Sequence, residues 1–207
     1  MNLDYETELK TKTKDFFDKL AVSYDNSRTN ALSKVFYNDI IRRILDLKPE
    51  TLLDVGCGDG SMLALLSHQD IALYGIDLSK KMIAAAQKKL VSNAEVCVGD
   101  TSYLPYADNS FDLIVCSAVL HYIPRPKSAL KEFKRVLTPS GTLILGIPTA
   151  PIKMAGLSKI QFDWNHPKVH LYNRKKLEAL LRSISFSPYH WTKPNYRSII
   201  VSATVTK

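Results

Sequence analysis

"LLDVGCGDGS", residues 52–61, decides how the rest of the chain is read. The short apolar run Leu52–Val55 reads as a buried strand. It ends in Gly56, Gly58 and Gly60, separated by single residues, and Asp54 stands two positions before the first glycine. Glycine permits positive φ and lets a backbone approach a ligand closely. A helix starting near Ser61 would offer free N–H groups in its first turn. In open parallel sheets ligands bind beyond the carboxyl ends of the strands, where such a turn lies. A dinucleotide loop reads G-x-G-x-x-G. Here the third glycine comes one residue early, and Asp54 and Asp59 bring two carboxylates to the mouth. Those acids repel a pyrophosphate and suit a ligand carrying positive charge. A glycine turn alone also fits a plain strand–helix connection.

Outward from this loop, two periods alternate. Thr51–Val55, Ile71–Ile76, Ala94–Val98, Phe111–Ser117 and Thr142–Ile147 read as strands. Helices are expected from Ser61, from an N-cap at Ser79 to about Val91, and over Pro126–Leu137 with proline in its first turn. Thr138–Gly141 reads as a turn. Continuously apolar strands alternating with helices predict a parallel sheet covered on both faces, a three-layer, doubly wound, Rossmann-like α/β fold. Before it, residues 1–48 read as helical, with Phe16, Phe17, Leu20 and then Val35, Ile40, Ile41, Ile44 at helical spacing, until Pro49. After it, Asn173–Arg182 reads as a helix, and Ser185–Thr192 and Ser198–Thr206 as an antiparallel hairpin. The chain is thus one domain over 1–207. It comprises an N-terminal helical lid (1–48), a ligand-binding core (49–147), a substrate-side connection (148–172) and a terminal helix and hairpin (173–207).

Two further acids join Asp54. The second strand ends in Gly75-Ile76-Asp77, with Asp77 placed 21 residues after Gly56, where an acid can bind a ribose hydroxyl pair. The third ends in Gly99-Asp100-Thr101. Three strands each deliver an aspartate to one edge of the sheet.

With these residues in place, the chain resembles the class I S-adenosylmethionine-dependent methyltransferases, and within them the type 11, ubiquinone/menaquinone-biosynthesis-like group. The resemblance is carried by 52–60, by Gly75–Ser79 with Met82, and by Gly99-Asp100. It continues through Leu104–Asp112, Leu120–Ile123 and Arg135–Leu143, in order over residues 51–147. It implies a seven-stranded sheet with the last strand antiparallel. It implies that Asp54, Gly56, Cys57 and Gly58 hold the methionine moiety of S-adenosylmethionine, Asp77 the ribose, Leu78 and Met82 the adenine ring, and Asp100, with Thr101 beside it, the adenine amine. The Ser117 carbonyl would take the methionine amino group. Tyr24, followed by Asp25, resembles the pair that lids the cofactor; a tyrosine closing a helix end is the other reading.

Methyl transfer needs alignment first, and a base only where the acceptor loses a proton. His121 is the candidate base, against a packing role. Arg28, Trp164, His170, Tyr172 and Tyr196 are candidate pocket residues. After the fourth strand, Ser117-Ala118-Val119-Leu120 lacks the Asn/Asp-Pro-Pro-aromatic signature of nucleic-acid amino methylation, and no Pro-Cys nucleophile is present. An O, N or C atom of a small molecule is therefore the expected acceptor. A tRNA or other nucleic-acid methyltransferase is the alternative, resting on a net charge of +8 and on Arg125, Lys127, Lys131, Lys134 and Arg135 as a local patch. A cofactor-binding protein without catalysis is a third. Most other basic residues fall on expected wet helix faces. No apolar stretch reaches membrane-spanning length. The start, Met1–Glu6, has no secretory pattern, and Cys57, Cys97 and Cys116 lack metal-ligand spacing. A cytoplasmic protein with reduced thiols and no metal is expected.

Overall fold

The computed structural model describes residues 3–26, 28–90, 94–148, 170–194 and 198–206. The chain opens with helix α1 (Leu3–Leu20), a 3-10 segment (Ala21–Asn26) and helix α2 (Arg28–Leu47). Lys48 leaves α2 at φ 49°, donating its N–H to the Ile44 carbonyl at 3.0 Å, and Pro49 follows. This left-handed exit next to a proline stops the helix cleanly.

The core alternates β1 (Thr51–Val55), α3 (Ser61–Leu66), β2 (Ala72–Asp77), α4 (Lys80–Lys89) and β3 (Ala94–Val98). It continues with β4 (Phe111–Ser117), α5 (Pro126–Val136) and β5 (Leu137–Pro148), and ends with α6 (Arg174–Arg182), β6 (Phe186–Thr192) and β7 (Ser198–Val205). The seven strands stand in the order β3-β2-β1-β4-β5-β7-β6. Strands β1 to β5 pair in parallel, and β7 runs antiparallel between β5 and β6. The expected architecture is therefore present. Its switch point lies between β1 and β4, where the winding reverses.

Two apolar clusters cover the sheet. Leu130, Phe133, Leu177 and Leu181 from α5 and α6 pack on one face with Ile114, Cys116 and Leu145. Phe36, Ile40, Ile44, Leu63 and Ile83 from α2, α3 and α4 pack on the other with Leu52, Leu113 and Val115. Residues 113–116 of β4 alternate between the clusters, which is why that run is continuously apolar.

One boundary differs from expectation. Residues 138–141 are not a free turn but part of β5. Between the pairs Phe111–Leu137 and Leu113–Thr142, β5 holds three more residues than β4. Pro139, Ser140 and Gly141 thus bulge out of a ladder that resumes at Thr142.

Candidate active site

The loop after β1 is built by three left-handed glycines, Gly56, Gly58 and Gly60, at φ 75°, 55° and 73°. Gly56 and Cys57 both donate their N–H to the Ile76 carbonyl, at 2.7 and 3.1 Å, which ties the loop to β2. Gly58 donates to Asp77 Oδ2 at 3.0 Å. The glycines are not equivalent. A Cβ on Gly56 would stand 2.2 Å from the Val119 side chain, whereas one on Gly58 would meet the Tyr24 ring at an ordinary 3.9 Å. Tyr24, in the 3-10 segment, is buried with its ring over the loop at Gly58.

Asp54 is 3% exposed and its carboxylate receives no hydrogen bond among the described residues. Burial, with the nearby Asp77 charge adding to it, pushes its pKa up to about 8. Burial likewise pushes Asp77 up to about 6, against the bonds it accepts from Ser79 and Gly58. Two acids crowded in low dielectric, one of them without a donor among the described residues, leave a local demand for positive charge and hydrogen-bond donors.

Asp59 does not join them. It accepts from the Ser61 backbone N–H at 3.2 Å and from Ser61 Oγ at 3.0 Å, and pairs with Lys89 of α4. It starts α3 and ties α3 to α4, so the expectation of two loop carboxylates at the mouth is corrected to one. Asp100 is also engaged: Oδ1 accepts from the Ser102 N–H at 2.8 Å, and Oδ2 pairs with Lys10 at 2.6 Å. Leu78 and Thr101 are half-buried at the ends of β2 and β3. Met82 is buried in the first turn of α4, where its N–H is capped by Ser79 Oγ at 3.1 Å.

Ser117 ends β4. Its hydroxyl is buried without a partner among the described residues. The next residue, Ala118, holds φ 56° while its N–H reaches the Gly146 carbonyl at 2.8 Å. A left-handed alanine costs of order 1–3 kcal/mol and collects at functional turns. Here it sends Val119 over Gly56.

His121 lies in a 3-10 turn (Leu120–Tyr122), 5% exposed, its ring 4.1 Å from that of Tyr122. Its carbonyl accepts from the His170 N–H at 2.8 Å, so the chain entering α6 returns onto the turn after β4. Of the other pocket candidates, His170 is exposed, and Tyr172 packs into the core beside α6, where burial pushes its hydroxyl up to about 12. Arg28 begins α2 but its side chain, with Trp164 and Tyr196, lies outside the described residues.

The basic patch is smaller than expected. Arg125 pairs with Glu6, and Arg135 is spent on Glu132, Asp108 and the carbonyls of Leu104 and Tyr106. Lys127, Lys131 and Lys134 remain along α5.

The sequence reading missed the residues α1 contributes. Asp18 accepts from Ser79 Oγ at 2.5 Å and from the Lys81 N–H at 3.2 Å, and Phe17 stands edge-on to Tyr122 at 5.4 Å. Only the Phe16, Phe17, Leu20 spacing marked this face. Glu6 and Lys10 look like any helical i,i+4 pair.

Among the described residues no helix is long and apolar enough to cross a membrane, and no group of three His, Cys, Asp or Glu side chains could hold a metal.

The family model Methyltransf_11, a methyltransferase domain, matches residues 53–145. A malonyl-[acyl-carrier protein] O-methyltransferase from Marinomonas sp. is 30% identical over 196 residues, 89% of this chain and 67% of that protein. A demethylmenaquinone methyltransferase from Bacillus licheniformis is 28% identical over 189 residues, 87% of this chain and 78% of that one. Against four other relatives, 31 to 34% identical, the match spans 39 to 59% of their length. In fold, the chain is similar to the magnesium protoporphyrin IX methyltransferase of Synechocystis solved with bound SAM. The TM-score is 0.74 at 18% identity, over 96% of this chain and 97% of that one.

Proposed function

The chain belongs to the class I S-adenosylmethionine-dependent methyltransferases, in the type 11 group, and on that premise we propose that it transfers a methyl group from S-adenosylmethionine to an O, N or C atom of a small molecule. The observation that carries the reading is Asp54, a buried carboxylate without a donor among the described residues, beside Asp77, at a left-handed glycine turn. These residues fit the cofactor, which carries an ammonium at its methionine end, a sulfonium at its centre and a ribose diol beyond it. When bound, it supplies a methyl group already activated on sulfur.

The chain's own work is binding and alignment. Asp54, Gly56, Cys57 and Gly58 take the methionine end, with the Ser117 carbonyl on its amino group. Asp77 takes the ribose, Leu78 and Met82 flank adenine, and Asp100 and Thr101 face its amine. Tyr24 closes the loop from above and excludes water. Holding reactants in line is worth roughly 7 kcal/mol or more in favourable cases. His121 takes the acceptor's proton on its imidazole where the acceptor must lose one. The engagement of Arg125 and Arg135 in internal ion pairs favours a small acceptor over a nucleic acid.

Calorimetric titration with S-adenosylhomocysteine tests the binding. The native protein should bind, and Asp77→Ala should lose at least tenfold in affinity. Absence of binding by the native protein sinks the proposal. A turnover screen that reads S-adenosylhomocysteine formation then separates an enzyme from a binding protein.

A further inference from the structure

Helix α1 stands outside the sheet, and among its described side chains only Glu6 and Leu9 are buried. Tyr5, Phe16, Phe17 and Leu20 are half-buried, so the helix rests on the domain largely through partly exposed side chains. An element attached this way belongs to the part of a fold that opens locally. Yet α1 touches the loops after β2, β3 and β4, the three strand ends that frame the cofactor site. Beside the Phe17–Tyr122 ring contact, its polar attachments there are ion pairs and hydrogen bonds.

Glu6 is the centre of one set. Its carboxylate takes Lys10 Nζ at 2.7 Å on one oxygen and Arg125, just before α5, on the other. Lys10 reaches on to Asp100 Oδ2 at 2.6 Å. The result is a chain of four alternating charges, Arg125–Glu6–Lys10–Asp100, running from the loop after β4 to the loop after β3. In the sheet, β1 and β2 lie between those two strands. At the far end of α1, Asp18 caps α4 through Ser79 Oγ and the Lys81 N–H.

We propose that this charge chain is a latch that holds α1 down as a lid over the cofactor site, and that its opening gates cofactor exchange. Lys10 is its keystone, being the one cation among the described residues that bridges the two carboxylates. The proposal rests on the functional reading above, because Asp100 is at once a latch residue and the acid assigned to the adenine amine. Cofactor and lid therefore meet at one carboxylate: Lys10 neutralises it and fixes its orientation, and adenine uses its remaining lone pairs. Desolvation works against the Lys10 charge, but Asp100 and Glu6 outweigh it and hold its pKa above the ordinary lysine value.

The test pairs two measurements on the full chain. Amide hydrogen exchange over Leu3–Leu20 in the ligand-free protein reads the latch without any cofactor. The dissociation rate of S-adenosylhomocysteine reads the gating. Lys10→Met should speed exchange in α1 and release the ligand about fivefold faster, and Lys10→Arg should restore both. Raising ionic strength toward ~1 M, where the Debye length falls to about 3 Å, should reproduce the loss in the parent protein and change Lys10→Met little. If Lys10→Met does not fold, Arg125→Gln and the salt series of the parent carry the test. Unchanged α1 exchange and unchanged release in a parent that binds S-adenosylhomocysteine overturn the latch. A parent that does not bind it overturns the functional reading and the gating together, while the exchange comparison still decides whether the charge chain holds α1.

Discussion

Gly56 and Gly58 share a left-handed φ but differ in what surrounds them. Gly56→Ala combines φ 75° with a Cβ 2.2 Å from Val119, so backbone strain and overpacking add. It should destabilise by about 3 kcal/mol, while Gly58→Ala, with space at Tyr24, should cost only about 1–2 kcal/mol. Chemical denaturation of the two variants checks the order. Asp54 makes a second prediction. With a folded-state pKa of about 8, above the ordinary carboxylate value, it is protonated in the free protein at neutral pH. Its neutral form favours folding at low pH, and that contribution is lost as pH rises from about 4 through about 8. A cationic ligand favours the charged form, so binding S-adenosylhomocysteine through its ammonium should release up to one proton, and affinity should rise between about pH 6 and 8. Calorimetry in buffers of different ionisation enthalpy should detect the proton, and Asp54→Asn should abolish its release. At this scale the sequence was legible where the residue type itself dictates the backbone, as at the left-handed glycines Gly56, Gly58 and Gly60. Asp59 was misread because its partner, Lys89, comes thirty positions later on another helix, and nothing in the local pattern separates a helix-starting acid from a ligand-binding one.

Elements were legible where their period was clean, as in β4 with its continuous apolar run or α4 with its Ser79 cap. The bulge in β5 was not, because Thr138-Pro139-Ser140-Gly141 has the composition of a turn and only the partner strand reveals that the ladder resumes. Nor could spacing reveal how α2 is joined to the C-terminal hairpin. Arg43, 4% exposed, donates to Asp39 at 2.8 Å, to Ser202 Oγ on β7 at 2.7 Å and to Thr192 Oγ1 on β6 at 2.6 Å; Thr192 also donates to Asp39. Burial opposes the Asp39 charge, but Thr192 and Arg43 outweigh it and hold its pKa below the usual range. That contribution is present at neutral pH and is lost as pH falls through the lowered value. Asp39→Ala should cost about 3 kcal/mol, since it leaves a buried guanidinium without its counter-charge. Hydrogen exchange should place the loosening in β6 and β7. An effect confined to α2 would contradict the assignment.

Across the whole molecule, the acids that matter converge on the carboxyl ends of β1, β2 and β3, while Lys80, Lys81, Lys88, Lys127, Lys131 and Lys134 lie on the helices around them. A net charge of +8 therefore coexists with an acidic mouth, which is why bulk composition pointed toward anionic partners and the loop motif toward a cationic ligand. The architecture could be read from the alternation of periods. The lid attachments could not, because they join residues about a hundred positions apart. The strand order carries one more consequence, for synthesis. Strand β6 has no neighbour until β7, made after it, slots in between β6 and β5. Until then β5 keeps an open edge, and Ile199, Ile200, Val201 and Ala203, all buried in the finished sheet, have nowhere to go. A ribosome making this chain must deliver β7 before the sheet can close, so the nascent protein passes through a stage with two unmatched strand edges, the stage at which chaperones or aggregation would act.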